Sequence, residues 1–349
     1  VPVSTVGSCP GDPPKSISIN VLPEPVINPV TSVTVCPSQN VGPFNFTANT
    51  GGGENFTWTN DNTVIGLPAS GNGNIAAFVV NGNLTGVNQV ANITVNATKS
   101  GCASSTPVVF QITVRPQPVI NAVTDISVCP GQTIGPINFV ANTGGGETFA
   151  WTNDNTTIGL AGSGTGPISS YTAPANVTGS DIVGNISVTA TRNGCVSSAI
   201  TFRITIKPQP VLNAIADVSK CPTELVGPFN FVANTGGGET IAWTNDNTAI
   251  GIAASGTGSI ASYSAPANLT GAAIVGNITV TATKNGCTSP VRTFVITIKP
   301  QPVLSSVTNI AVCPGQTVGP VNFAANTGGG ESFAWTNSNI SIGLAGSGS

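Results

Sequence analysis

The sequence has no histidine and no methionine among its 349 residues. It is also poor in charge, with 10 basic and 13 acidic side chains, or 7%, where an ordinary soluble domain carries about 25%. The lack of histidine removes most general acid–base schemes, every Ser-His or Cys-His nucleophile, and the commonest zinc ligand. With so few cations and a net charge of −3, there is no basic footprint for phosphate backbones, so nucleic acid is excluded as a partner. No run approaches about 18 consecutive apolar residues, so no helical membrane span is expected. The 40% apolar fraction is too high for a disordered polar tail. Neither a catalytic centre nor a cofactor is expected.

What the chain does have is a period. Asn-Thr-Gly-Gly-Gly-Glu begins at Asn49, Asn142, Asn234 and Asn326, in steps of 93, 92 and 92 residues. Trp58, Trp151, Trp243 and Trp335 keep the same step, as do Cys36, Cys129, Cys221 and Cys313. A second cysteine series runs Cys9, Cys102, Cys195 and Cys287. Residues 135–214 and 227–306 align without a gap and share 60 of 80 positions. Such an array is built from one duplicated unit whose copies contact only their neighbours. Complete repeats are expected at 26–117, 118–209 and 210–301. Residues 1–25 align with the closing strands of a repeat, and 302–349 with the opening half of another.

Within a repeat the pattern is that of strands. Ile186, Val188 and Ala190 alternate with Ser187, Thr189 and Thr191, and Phe202, Ile204 and Ile206 alternate with Arg203, Thr205 and Lys207. A period of two in β-branched residues predicts half-buried antiparallel strands. Asn193-Gly194 lies between them, a dipeptide suited to a tight hairpin. Further strands are expected at 118–123, 125–128, 136–141, 148–153, 156–161 and 167–173, with turns at Gly144–Gly146 and Gly162–Gly164. About seven short strands in some 92 residues predict an all-β fold, a two-sheet sandwich of immunoglobulin type.

Cys-Pro-Gly (129–131), Trp-Thr-Asn-Asp-Asn (151–155), Ile-Gly-Leu (158–160), Asn-Gly-Cys (193–195) and Lys-Pro-Gln-Pro (207–210) follow one another in the second complete repeat. This order resembles the polycystic-kidney-disease-type (PKD-like), immunoglobulin-like repeats of large surface proteins in gliding and related Bacteroidetes. Where better-known PKD repeats carry Trp-Asp-Phe-Gly-Asp, this chain has Trp-Thr-Asn-Asp-Asn. The resemblance implies an extracellular stalk or adhesin, often exported by the type 9 secretion route.

Several residues invite a sharper reading. Trp58, Trp151, Trp243 and Trp335 are expected in the inter-sheet core, as in immunoglobulin sandwiches, with sugar stacking as the rival role. Glu54, Asp61, Glu147, Asp154, Glu239 and Asp246 are the repeated acidic positions and the candidates for a Ca²⁺ site built from carboxylate and Asn oxygens. The fourth repeat has Ser338 in place of Asp, and Asn-Asp-Asn more simply caps a turn. The eight cysteines suggest disulfides in an oxidising compartment. Pairing within a repeat, as Cys36–Cys102, Cys129–Cys195 and Cys221–Cys287, is the leading assignment. Nearest-neighbour pairing uses all eight. Bridges between successive repeats, such as Cys36–Cys195, are the third option, because the two cysteines of one immunoglobulin sandwich lie at opposite poles. Asn92, Asn185 and Asn277 head Asn-x-Ser/Thr sequons.

The Lys-Pro-Gln-Pro linkers leave little slack, so the repeats are expected to form a semi-rigid rod. The leading expectation is the non-catalytic shaft of a cell-surface filament or adhesin that self-associates into filaments or bundles. A multivalent module array binding surface glycans, a host or a substratum is the alternative, and predicts Tyr171 exposed beside Trp151. Outward Thr, Ser and Asn in place of charges suit lateral association.

Overall fold

A computed structural model describes residues 15–349; Cys9 and the first part of segment 1–25 lie outside them. The first complete repeat contains β1 (Val33–Val35), β2 (Asn40–Val41), β3 (Asn55–Asn60), β4 (Ser70–Asn72), β5 (Phe78–Val79), β6 (Gln89–Lys99), β7 (Cys102–Ala103) and β8 (Val108–Val114). The second repeats this plan as β9 (Ile126–Val128), β10 (Thr133–Ile134), β11 (Thr148–Asn153), β12 (Ser163–Thr165), β13 (Tyr171–Thr172), β14 (Ile182–Arg192), β15 (Cys195–Val196) and β16 (Ile200–Ile206). The third, β17–β24, runs from Val218–Lys220 to Arg292–Ile298.

In each repeat the larger sheet has the order β1-β8-β6-β3-β4, with β7 paired on β6. β1 lies parallel to β8, while β6 is antiparallel to both β3 and β8. The facing layer joins β2 to β5, extended by bridges Ile27↔Ala48 and Phe44↔Ile75. Side chains on β14 alternate as the sequence predicts: Ile186, Val188 and Ala190 are fully buried, and Phe202, Ile204 and Ile206 of the neighbouring β16 are buried on the same face of the sheet. Fully burying one such aliphatic side chain contributes about 1.5–3 kcal/mol. Asn193 and Gly194 take φ of 48° and 84° and turn the chain from β14 into β15.

The apolar side chains form three separate cores, one per complete repeat. The accessible surface is 20009 Å², against about 13,000 Å² for one compact protein of this mass. The mass is therefore divided among small sandwiches. Among the described residues no helix is long and apolar enough to cross a membrane.

Residues 118–123 and 136–141 make only isolated bridges, at Ile120, Ile137 and Ala141, rather than strands, and of 167–173 only Tyr171–Thr172 forms a strand. Two further local expectations are corrected. Residues 156–161 form a 3₁₀ turn (Thr156–Ile158) rather than a strand, because the Asn155 side chain accepts from Thr157 N and Gly159 closes the turn at φ 85°. Gly162–Gly164 is not a turn: Ser163–Thr165 is an edge strand. Its glycine is required by packing. A Cβ on Gly164 would lie 2.2 Å from Cζ2 of Trp151, whose indole crosses the neighbouring strand at that point. Gly71 and Gly256 stand in the same relation to Trp58 and Trp243.

Residues 302–349 form β25 (Trp335–Thr336), β26 (Ser347–Gly348), a 3₁₀ turn at Ile340–Ile342 and the bridge Leu304↔Ala325. The segment equivalent to β1, residues 310–312, is not a strand; in the complete repeats that strand is held by β8, and residues 302–349 include no counterpart of β8. Phe323 is correspondingly 38% exposed.

Candidate functional site: the junction between repeats

The acidic candidates are not brought together. Glu54 and Asp61 flank β3 at opposite ends, about 23 Å apart over seven extended residue steps. Glu147 and Asp154 flank β11 in the same way, and Glu239 and Asp246 flank Thr240–Asn245. The candidate carboxylates of a repeat therefore do not converge on one cation, and no group of three or more acidic or cysteine side chains converges among the described residues. Each carboxylate instead ties strands together. Glu54 accepts from the Thr50 hydroxyl and from Gly52 N, and Lys99 stands 3.7 Å away. Arg192 and Lys284 take the place of Lys99 in the next repeats, 3.7 and 3.9 Å from their glutamates. Asp61 Oδ1 and Oδ2 accept from the backbone N and the side-chain Nδ2 of Asn92, both at 2.7 Å. Asp154 holds Asn185, and Asp246 holds Asn277, identically. The sequon amides are therefore engaged in strand pairing.

These contacts depress the carboxyl pKa values. The Asn92 side chain, then its backbone N–H, lowers Asp61, and Asn185 and Asn277 do the same for Asp154 and Asp246. The Thr50 and Thr235 hydroxyls lower Glu54 and Glu239. For Glu147 burial pushes upward, but the Thr143 hydroxyl and its other hydrogen bonds outweigh it. A depressed folded-state pKa gives stability that is present above the unfolded value and lost as pH falls through the folded one. The unfolding midpoint should accordingly be level from about pH 5 to 8 and fall below about pH 4. Replacing Asp61, Asp154 and Asp246 by asparagine should blunt that fall in calorimetry; a midpoint that rises on acidification would contradict the assignment.

The most elaborate constellation lies where one repeat meets the next. Arg115 Nη1 donates to Asn193 O at 2.8 Å, and Gln117 Nε2 donates to Val196 O at 2.9 Å. Both donors come from the linker, and both acceptors from the β14–β15 hairpin of the following repeat. Asn142 donates from its side chain to Leu84 O at 2.8 Å and accepts from Val119 N. Gly86 lies so near that a Cβ there would stand 2.7 Å from Asn142 O. Beneath it, the wholly buried Asn83 donates to Val87 O and Val114 O, and Gln117 N donates to Asn83 O. The second junction reproduces the set: Lys207 to Asn285 O at 3.1 Å, Gln209 to Thr288 O at 3.0 Å, and Asn234 to Leu84's counterpart Val177 O at 2.7 Å. Buried Asn176 anchors that linker as Asn83 does the first. The Pro-Gln-Pro pattern of the linkers predicts only a stiff spacer, and the docking roles of Arg115, Gln117, Lys207 and Gln209 go beyond it. The signals were present as the recurrent Asn142 and the repeated Asn-x-Thr-Gly at 83–86, 176–179 and 268–271.

Each complete junction is closed by a disulfide. Cys36 pairs with Cys195 and Cys129 with Cys287, with Cα separations of 5.4 and 5.5 Å. The leading assignment of Cys36–Cys102, Cys129–Cys195 and Cys221–Cys287 is thus corrected. Val128 lies beside Ile206, which lies beside Ile182, whereas Cys195 pairs with Arg192 at the other end of β14. Ten residues of strand separate those levels by about 33 Å, far beyond the 4.4–6.8 Å that a disulfide spans. Cys102, Cys221 and Cys313 are unpaired among the described residues.

The rival aromatic role finds no platform. Trp58, Trp151 and Trp243 are buried at 7–8% exposure, and Trp335 is half-buried. Tyr171 and Tyr263 pack against their cores with shielded hydroxyls, and burial pushes both phenols up. A concavity of about 770 Å³ lies on the last half-repeat between Leu304, Phe323 and Phe333. In a complete repeat the equivalent side chains belong to the core.

The sheet order, the parallel first strand and the buried tryptophan together settle the architecture. The repeats are immunoglobulin-like sandwiches. Neither a family model nor a curated protein matches the chain. Among solved structures, an I-band fragment of titin is 11% identical, covering 80% of this chain and 100% of its own, with a TM-score of 0.42. Three repeats of mouse cadherin-23 are 12% identical over 80% of this chain and 99% of theirs, with a TM-score of 0.38.

Proposed function

We propose that the chain is a structural stalk, or filament-forming segment, of an extracellular bacterial surface protein or adhesin, and that it is non-catalytic. The observation that carries this reading is the junction, where the same linker donors, the same buried asparagine and a disulfide recur at two successive interfaces. A chain that only tethered independent binding modules would have no use for so closely specified an interface. Disulfides belong to oxidising, extracytoplasmic surroundings, and the PKD-like resemblance supports the surface of Bacteroidetes and type 9 export. Outward Thr, Ser and Asn with little net charge favour side-by-side association of such stalks into filaments or bundles. Solution scattering on the full chain should give a radius of gyration of about 40 Å, from roughly 40 Å of sandwich per repeat laid end to end. About 20 Å, the value for a compact globule of this length, would refute the stalk.

A further inference from the structure

The two disulfides close loops that overlap. One runs from Cys36 to Cys195 and the other from Cys129 to Cys287, so both contain segment 129–195. The shortest covalent route from Cys36 to Cys287 therefore crosses the first bridge, returns along the backbone from Cys195 to Cys129, and crosses the second. That route has 66 residue steps, against 251 along the backbone. With either bridge alone the route is hardly longer: 92 steps through Cys195 or 93 through Cys129.

We propose that this overlap makes the stalk a redundant covalent tether, in which either bridge alone limits extension and any single backbone cut between Cys36 and Cys287 leaves the two ends joined. At about 3.6 Å per extended residue, the 66-step route reaches at most about 240 Å even with every sandwich unfolded. The open backbone reaches about 900 Å. Disulfides confined to single repeats would behave differently, because each would restrain only its own loop and a cut in a linker would part the chain. The purpose of such a tether rests on the stalk reading, since a stalk bears load. The tether itself depends only on the connectivity, so a rod-shaped particle that fails the tests below would overturn this inference and leave the stalk standing.

The first test pulls the full chain by handles at its two ends and reads the fully unfolded contour. Relative to the oxidised chain, Cys129→Ala with Cys287→Ala should lengthen it by about 26 residues, or ~90 Å. Cys36→Ala with Cys195→Ala should add about 27 residues. Removing both bridges should add about 185 residues, or ~670 Å, far more than the two single effects together. Additive lengthening would overturn the proposal. The second test needs no cysteine variant to fold: a protease site placed in the exposed Ser105–Pro107 loop is cut in the full chain. One band without reductant and two with it are expected, and two bands without reductant would overturn the proposal.

Discussion

Replacing Cys36 and Cys195 together by alanine should cost the first repeat about 4–5 kcal/mol. The bridge anchors Cys36 to the second repeat, so an unfolded first repeat remains a closed loop of some 80 residues between that anchor and the linker at Pro116–Pro118. Loop-closure entropy for that size supplies the figure. For a sandwich of about 92 residues this lowers the unfolding midpoint by some 20 °C or more. The bridge also couples neighbours, so the variant should separate the first repeat's transition from those of the other two. Calorimetry without reductant reads both effects. A loss below about 1 kcal/mol would show that the linker contacts of Arg115, Gln117 and Asn142 alone hold the junction.

Trp151→Ala should cost the second repeat about 3–5 kcal/mol, as expected for a large aromatic removed from a core. A double-mutant cycle gives the sharper form of this prediction. Gly164→Ala alone should cost about 1–3 kcal/mol, since its Cβ would meet the indole at 2.2 Å and the ring is enclosed. In the Trp151→Ala background the same methyl group enters the space the indole left, and the added cost should be near zero. The coupling should therefore exceed about 1 kcal/mol. Denaturant unfolding of the four variants measures it, and additive costs would mean that the indole does not lie over Gly164.

The strands that pack the core are written plainly in the residues. Ile186, Val188 and Ala190 against Phe202, Ile204 and Ile206 show the period of two because one face of each strand is buried and the other is wet. Short elements are less legible. Residues 156–161 carry apolar side chains at strand-like spacing, yet the Asn155 cap and Gly159 curl them into a 3₁₀ turn. Gly162-Ser163-Gly164 has the composition of a turn, yet Ser163–Thr165 pairs with β11 as an edge strand and Gly164 leaves room there for Trp151. Those outcomes depend on what lies across the sheet, which local composition does not record.

The acidic residues and cysteines teach the same lesson over longer separations. Glu54 and Asp61 are neighbours in sequence, but an extended strand sets them far apart and turns each toward a partner on β6. Arg115 and Gln117 act on residues 78 and 79 positions away, in the following repeat.

The sequence by itself determined the 92-residue period, legible as self-similarity between copies, and the all-β sandwich with Trp58, Trp151 and Trp243 in its core, which follow from the two-residue alternation along each strand. It also confined the disulfides to two cysteine series held in register. Only the tertiary structure decided which series member meets which. Within a repeat the two cysteines are held about 33 Å apart by the length of β14, and end-to-end stacking brings the cysteine of one repeat against that of the next. Pairing follows distance in space, and here the strands that separate residues within a repeat also place them beside their partners across the junction.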